Sequence, residues 1–97
     1  MPLTGKQKRY LRGLGHHLRP VVMIGQRGVT PGLVNKVRGE LLLHELVKIK
    51  IGPGAVEDPD EVLEEILKPA EAEHVQTIGR TLLLYKRREE EPDIELP

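Results

Sequence analysis

Apolar residues along this chain recur with two different periods, one typical of helices and one typical of strands. Three segments show the three-to-four-residue spacing of a helix, and four short segments are either continuously apolar or alternate with polar residues as strands do. Strand–helix–strand units favour parallel pairs, and a closing hairpin adds an antiparallel pair. The pattern therefore predicts an α/β fold in the order α-β-α-β-α-β-β, with a mixed four-stranded sheet and three helices.

The first helix and the first strand are separated by a proline. Thr4 and Gln7 form a capping box that begins a helix over roughly residues 5–17, and Pro20 stops it. The apolar stripe of this helix is predicted to contain Leu11, Leu14 and Leu18. Residues 21–24 are continuously apolar, which is typical of a strand buried on both faces.

Capping residues also mark the second and third helices. Thr30, followed by a proline, begins a helix over about 31–44. Asp58 begins the third helix, which should end near Lys68 because Pro69 lacks the backbone N–H that would continue it. Their apolar stripes are predicted to contain Leu33, Val34, Val37 and Leu41 in one helix and Val62, Leu63, Ile66 and Leu67 in the other.

The remaining strands show alternation and a hairpin signal. Residues 46–51 alternate between apolar and polar positions, which places Lys48 and Lys50 on an open face of the sheet. Residues 75–78 and 81–85 flank a two-residue Gly-Arg turn, so they are predicted to pair as a hairpin.

Charge is strongly segregated along the chain, although the net charge is zero. Residues 1–50 carry ten Lys or Arg and two acidic residues, a net charge of +8, and residues 51–97 carry five and thirteen, a net charge of −8. A dipolar solubilising surface would show the same polarity, but such complete segregation favours a polyanion partner. We expect residues 1–87 to form a single domain and the acidic residues 88–97 to form a flexible tail.

Composition excludes several classes of function. The only aromatic residues are Tyr10 and Tyr85, too few for the base-stacking platforms of RRM or OB folds. Without Cys or Ser no Cys–His or Ser–His–Asp arrangement exists, and the spacing of the four His does not indicate a metal site. No apolar run is long enough for a signal peptide or a membrane span. We therefore expect a non-enzymatic cytoplasmic protein with no cofactor and no metal.

The candidate binding motif is Gly25-Gln26-Arg27-Gly28, which joins the first strand to the second helix. The glycines permit a tight turn and close approach of a ligand, and Arg27 offers a planar, permanently charged group that suits phosphate. Gln26 can donate to a phosphate or to a base edge. An ordinary strand-to-helix turn would use the same glycines, but the basic first half of the chain favours function. A Walker A loop is excluded, because no Lys-Ser or Lys-Thr follows Gly28.

Four separated blocks of the chain resemble one family. Residues 3–8, 19–30, 44–50 and 75–85 occur in the order and spacing of the CRM domain. The name stands for chloroplast RNA splicing and ribosome maturation, and the bacterial stand-alone members are called YhbY-like. The resemblance implies a fold similar to the C-terminal domain of translation initiation factor three, with a KH-like G-x-x-G loop that contacts RNA. Where the family pattern has a Lys with a small polar partner in the loop, this chain has Gln-Arg.

The resemblance also implies a partner and a set of contacts. Bacterial members associate with precursors of the large ribosomal subunit, so the expected partner is structured RNA, namely large-subunit ribosomal RNA, bound by a monomer away from membranes. The implied RNA-binding residues are Gly25, Gln26, Arg27, Gly28, Lys8, Arg9, Arg12, Lys48 and Lys50. The alternative is a protein-interaction module that docks a basic ribosomal protein through the acidic half. DNA binding ranks third, because no base-reading recognition helix is evident.

Overall fold

The computed structural model describes residues 2–97 and has the predicted order of elements. The helices are α1 (Gly5–Gly15), α2 (Pro31–His44) and α3 (Pro59–Ala70), and the strands are β1 (Pro20–Ile24), β2 (Leu46–Ile51), β3 (Glu73–Ile78) and β4 (Thr81–Tyr85). The strand order in the sheet is β1-β2-β4-β3, with β1 parallel to β2 and the other pairs antiparallel. The predicted α/β class with a mixed four-stranded sheet is confirmed. Within residues 2–97, no helix is long and apolar enough to cross a membrane.

The helices begin at the capping residues that the sequence predicts. The backbone N–H of Gln7 donates to Thr4 Oγ1 at 3.1 Å, and the N–H of Thr4 donates to Gln7 Oε1 at 3.0 Å. Thr30 and Asp58 accept a backbone N–H in the same way at the starts of α2 and α3. Each cap satisfies a donor that the helix itself leaves free.

One predicted detail of α3 and one of β1 are wrong. Pro69 lies inside the last turn of α3, because a proline there removes only one helical hydrogen bond and the helix continues to the buried Ala70, with a left-handed cap at Glu71 (φ 55°). β1 is not buried on both faces. It is an edge strand, in which Val21 and Met23 remain 37% and 60% exposed while Val22 and Ile24 are buried.

The two faces of the sheet are covered unequally. α2 and α3 cover one face with the larger apolar cluster. α1 covers only part of the other face, where Leu11 joins a smaller cluster, and ends earlier than predicted, with Gly15 packed against Leu83 of β4. Leu14 and Leu18, predicted on the buried stripe, remain 40% and 39% exposed. We call the uncovered part of this side the open face, formed by Met23, Lys48, Lys50, Gln76, Ile78 and Thr81.

The acidic segment 88–97 lies against the domain. The carboxylate of Glu45 is fully buried and accepts the backbone N–H groups of Arg88 (2.8 Å), Asp93 (2.7 Å) and Ile94 (2.9 Å). Ile94 packs against the smaller apolar cluster, and the Arg88 guanidinium donates to two carbonyls at the end of α2. The flexibility expected of this segment stays a prediction, and these contacts oppose it.

Candidate nucleic-acid interface

The loop of residues 25–28 closes as a tight turn at the carboxyl end of β1. The backbone N–H of Gly28 donates to the carbonyl of Gly25 at 3.0 Å, and Gly28 has a φ of 66°, which glycine adopts without strain. A Cβ at Gly28 would collide with the Glu57 carboxylate, whereas a Cβ at Gly25 would meet no atom within 4 Å. Gly28 is therefore required by its conformation, and a Cβ there would also displace the Glu57 carboxylate, while Gly25 faces open space.

The two middle residues of the loop are exposed. The Gln26 side chain lies over Gly54, in the segment that connects β2 to α3. Arg27 makes neither a side-chain hydrogen bond nor an ion pair with any part of residues 2–97. Its guanidinium is therefore available to an anion without first leaving an internal partner.

A second loop, residues 52–57, supports the first. The Arg80 guanidinium, from the β3–β4 turn, donates at 3.4 Å to four carbonyl oxygens, those of Ile51, Gly52, Ala55 and Glu57. The N–H of Gly52 donates to the carbonyl of Ile24 at 2.8 Å and so joins this loop to the end of β1. Sequence reasoning missed this role of Arg80, because the contacts join residues 23 to 29 positions apart and leave no local pattern.

Acidic side chains border the loop on the side of α3. Glu57 packs against Gly28, and its Oε2 is buried without a hydrogen-bond donor among the described residues. Hydrogen bonding with Glu57 raises the pKa of Glu65, and the nearby carboxylates of Glu61 and Glu64 add to the shift. Neighbouring carboxylates disfavour the charged form of Glu65, which agrees with the direction. The charge segregation in sequence is thus incomplete in space, and an anion meets less repulsion when it approaches from the open face.

Two lysines of β2 lie on that open face near the loop. Lys50 pairs with Met23, which lies two residues before Gly25. Along the strand direction, Lys50 is therefore roughly 7 Å from the start of the loop. Lys48 lies two residues further back on the same face. Neither lysine forms an ion pair within residues 2–97. Their predicted position on the open face of β2 is confirmed.

The comparison with known proteins is consistent with this arrangement of loop and sheet. The family model of the CRS1 / YhbY (CRM) domain matches residues 3–86. The chain belongs to the CRM domain family.

Several relatives of this CRM domain span almost its whole length. The Probable RNA-binding protein YqeI of Bacillus subtilis (strain 168) is 41% identical over 95 residues, which cover 98% of this chain and 99% of the relative. A protein of Haemophilus influenzae named RNA-binding protein is 43% identical, with coverage of 98% and 95%. Among solved structures, the solution structure of the hypothetical protein SAV1595 from Staphylococcus aureus, a candidate RNA-binding protein, matches with a TM-score of 0.82. The two sequences are 36% identical, and the match covers 98% of this chain and 99% of SAV1595.

The predicted basic residues of α1 in this CRM domain do not gather at the loop. β3 runs in the same direction as β1, so the start of β3 and the loop lie at opposite ends of the sheet. Lys8 lies near that start, since α1 packs against β3. Burial lowers the pKa of His74, and the charge of Lys8 lowers it further. Arg9 and Arg12 are exposed on α1, and Arg12 lies in its last turn, before the contact with β4. The structure therefore brings Lys50 close to the loop and places Lys48 further back along the same face, level with Pro20, and it does not bring Lys8 to the loop.

No metal centre is formed within the described part of this CRM domain. Across residues 2–97, no group of three or more His, Asp or Glu side chains is placed to hold a metal ion.

Proposed function

We propose that this CRM domain binds structured RNA, namely large-subunit ribosomal RNA in precursor particles, and that it catalyses no reaction. The observation that carries the proposal is the unpaired Arg27 in the loop together with the unpaired Lys50 and Lys48, which follow it along one face of β2. The names of the Bacillus and Haemophilus relatives support the RNA partner. The ribosomal target comes from the family resemblance, and it is part of the proposal.

The loop would hold a stretch of RNA backbone. The open space at Gly25 lets a phosphate come close to the main chain, and the Arg27 guanidinium can bind two phosphate oxygens at once. G-x-x-G loops of KH domains clamp the nucleic-acid backbone in this way. Lys48 and Lys50 then neutralise further phosphates along the open face, and the released counterions contribute to the affinity.

The test is a charge reversal with a matched control. Arg27→Asp should weaken binding to a structured fragment of large-subunit ribosomal RNA about tenfold or more, because it replaces a phosphate contact by a repulsion. Arg38→Asp, at an exposed position of α2, changes the net charge equally and should have a much smaller effect. Fluorescence anisotropy at several salt concentrations measures both, and log affinity should fall with log salt by about 0.7 per neutralised phosphate for single strands.

Two outcomes would oppose this mechanism. Equal losses in Arg27→Asp and Arg38→Asp would mean that only the overall charge matters. Affinity that does not change with salt would rule out phosphate neutralisation. A duplex DNA of the same length serves as a competitor, and it should bind more weakly than the RNA.

A second candidate function rests on the acidic face of α3. Glu61, Glu64 and Glu65 are all exposed there, which would suit the docking of a basic ribosomal protein. Glu61 also completes the cap on Asp58, so the test leaves it unchanged. If this face docks a protein, Glu64→Lys/Glu65→Lys should abolish co-sedimentation with ribosomal precursor particles and leave the affinity for naked RNA unchanged. Glu89→Lys/Glu90→Lys is the control with the same change of charge, and unchanged co-sedimentation in the α3 variant would reject this function.

A further inference from the structure

The open face contains a groove separate from the turn at residues 25–28. The segment after α1 and the β3–β4 hairpin form its walls, and β2 and β4 form its floor. Its volume is about 330 Å³, at the small end of the range for ligand pockets. The side chains that matter here are Arg19, Lys48, Lys50, Gln76, Ile78 and Thr81.

Every charged side chain that lines the groove is basic. Arg19, Lys48 and Lys50 form no ion pair with any acidic residue of the chain from 2 to 97. The acidic residues nearest to the loop, Glu57 and Glu65, lie on the other side, toward α3. An RNA strand held at the loop is therefore drawn along β2 into the groove and repelled from the α3 side.

The groove combines apolar surface with free hydrogen-bonding groups. Ile78 is 66% exposed at its rim, and Leu83 lies in its floor. The Gln76 amide and the Thr81 hydroxyl have no hydrogen-bond partner within residues 2–97, so each can donate and accept. A nucleobase has two flat apolar faces and a polar edge, which match these two kinds of surface. In a base-paired helix that edge is occupied, and a duplex is too wide for a groove of this size.

We propose that the groove receives an unpaired nucleotide next to the backbone segment held by the loop. Gln76 and Thr81 contact the edge of its base, Ile78 contacts a face, and Lys48 and Lys50 contact the flanking phosphates. The inference rests on the proposed RNA binding and specifies its substrate class, a structured RNA with an unpaired nucleotide beside the helical part. The groove has no Phe, Tyr or Trp, and its one aromatic ring is that of His16, so recognition relies on the base edge and on the Arg19 guanidinium more than on ring stacking.

The test compares two RNAs that differ only in pairing. One is a hairpin with an unpaired extension, and the other is the same hairpin with the extension paired to a complementary strand. The unmodified protein should bind the first about tenfold more tightly, the size expected when side chains read one base edge. Gln76→Leu/Thr81→Val should lose this preference and keep its affinity for the paired RNA. Thr77→Val changes the same hairpin on the opposite face of the sheet and should keep the preference.

The outcomes separate the groove from the proposed RNA binding itself. Equal affinity of the unmodified protein for the two RNAs, or a preference that survives Gln76→Leu/Thr81→Val, would overturn the proposed nucleotide site in the groove. A loss of RNA affinity in Arg27→Asp would still support the proposed RNA contact at the loop. Failure to bind either RNA would instead reject the proposed function. Ile78→Asp, at an exposed position, is a second variant that should lose the preference if the strand substitutions disturb folding.

Discussion

Glu45→Ala is expected to lower the free energy of unfolding by about 3 kcal/mol. The Glu45 carboxylate is completely buried, and it accepts three backbone N–H groups from the segment 88–94. Without it those donors can be satisfied only by water, so the segment must detach. Ile94 then leaves the smaller apolar cluster, and its burial is lost as well.

The chain offers a matched control for this substitution. Glu71 also has a positive φ, 55° against 62° for Glu45, although its ψ is 39° where that of Glu45 is −38°. Alanine keeps the Cβ of glutamate, so the substitution leaves the backbone strain at each position largely unchanged. The Glu71 carboxylate is exposed and pairs with Lys86 at 2.9 Å, an arrangement that adds little to stability. Urea denaturation should therefore show a large loss for Glu45→Ala and little change for Glu71→Ala. Similar losses in both would mean that a general effect of removing a glutamate side chain, and not the three hydrogen bonds, dominates at Glu45.

Gly28→Ala is expected to lower the free energy of unfolding by about 2 kcal/mol and to weaken RNA binding. Its φ of 66° disfavours a residue with a Cβ, and that Cβ would collide with the Glu57 carboxylate. Gly25→Ala, at the other end of the loop, meets no atom within 4 Å and should leave stability almost unchanged. Because Gly25 faces the proposed phosphate position, Gly25→Ala should still reduce RNA affinity.

A double-mutant cycle divides the effect of Gly28→Ala into its two causes. In a Glu57→Ala background the collision is absent, so only the conformational part of the loss should remain. Thermal and urea unfolding of the four proteins give the coupling energy. Zero coupling between positions 28 and 57 would contradict the packing described here.

Elements whose signals are local could be predicted from the sequence. The helix α2 is confirmed from Thr30 and Pro31 to its end at His44, because cap, first residue and apolar stripe all lie within it. The β3–β4 hairpin is confirmed for the same reason, since a two-residue Gly-Arg turn and its flanking strands are contiguous. The G-x-x-G turn also forms where it was predicted, although its contact with RNA stays a prediction.

Features that depend on distant residues could not be predicted. A continuous apolar run does not show whether β1 is central or at an edge, and the edge position leaves Met23 exposed. Nothing local distinguishes Glu45 from the other acids except its apolar neighbours, and its partners are 43 to 49 positions away. Glu57 and Arg80 also shape the candidate site through contacts with residues far away in sequence. The sequence therefore predicted the loop of residues 25–28 but not the side chains that hold it in place.

The buried Glu45 has a consequence for the order in which the domain is completed during synthesis. Glu45 leaves the ribosome between α2 and β2, well before the residues whose N–H groups it accepts. Burying a carboxyl group without hydrogen-bond partners is unfavourable, so we expect the corner of the domain around Glu45 to stay hydrated while the four strands assemble. Docking of residues 88–94 is then the closing step. A nascent chain stalled after β4 would have a paired sheet but would lack the hydrogen bonds between Glu45 and residues 88–94. We expect a protease or a chaperone to distinguish an unfinished domain from a finished one at this corner.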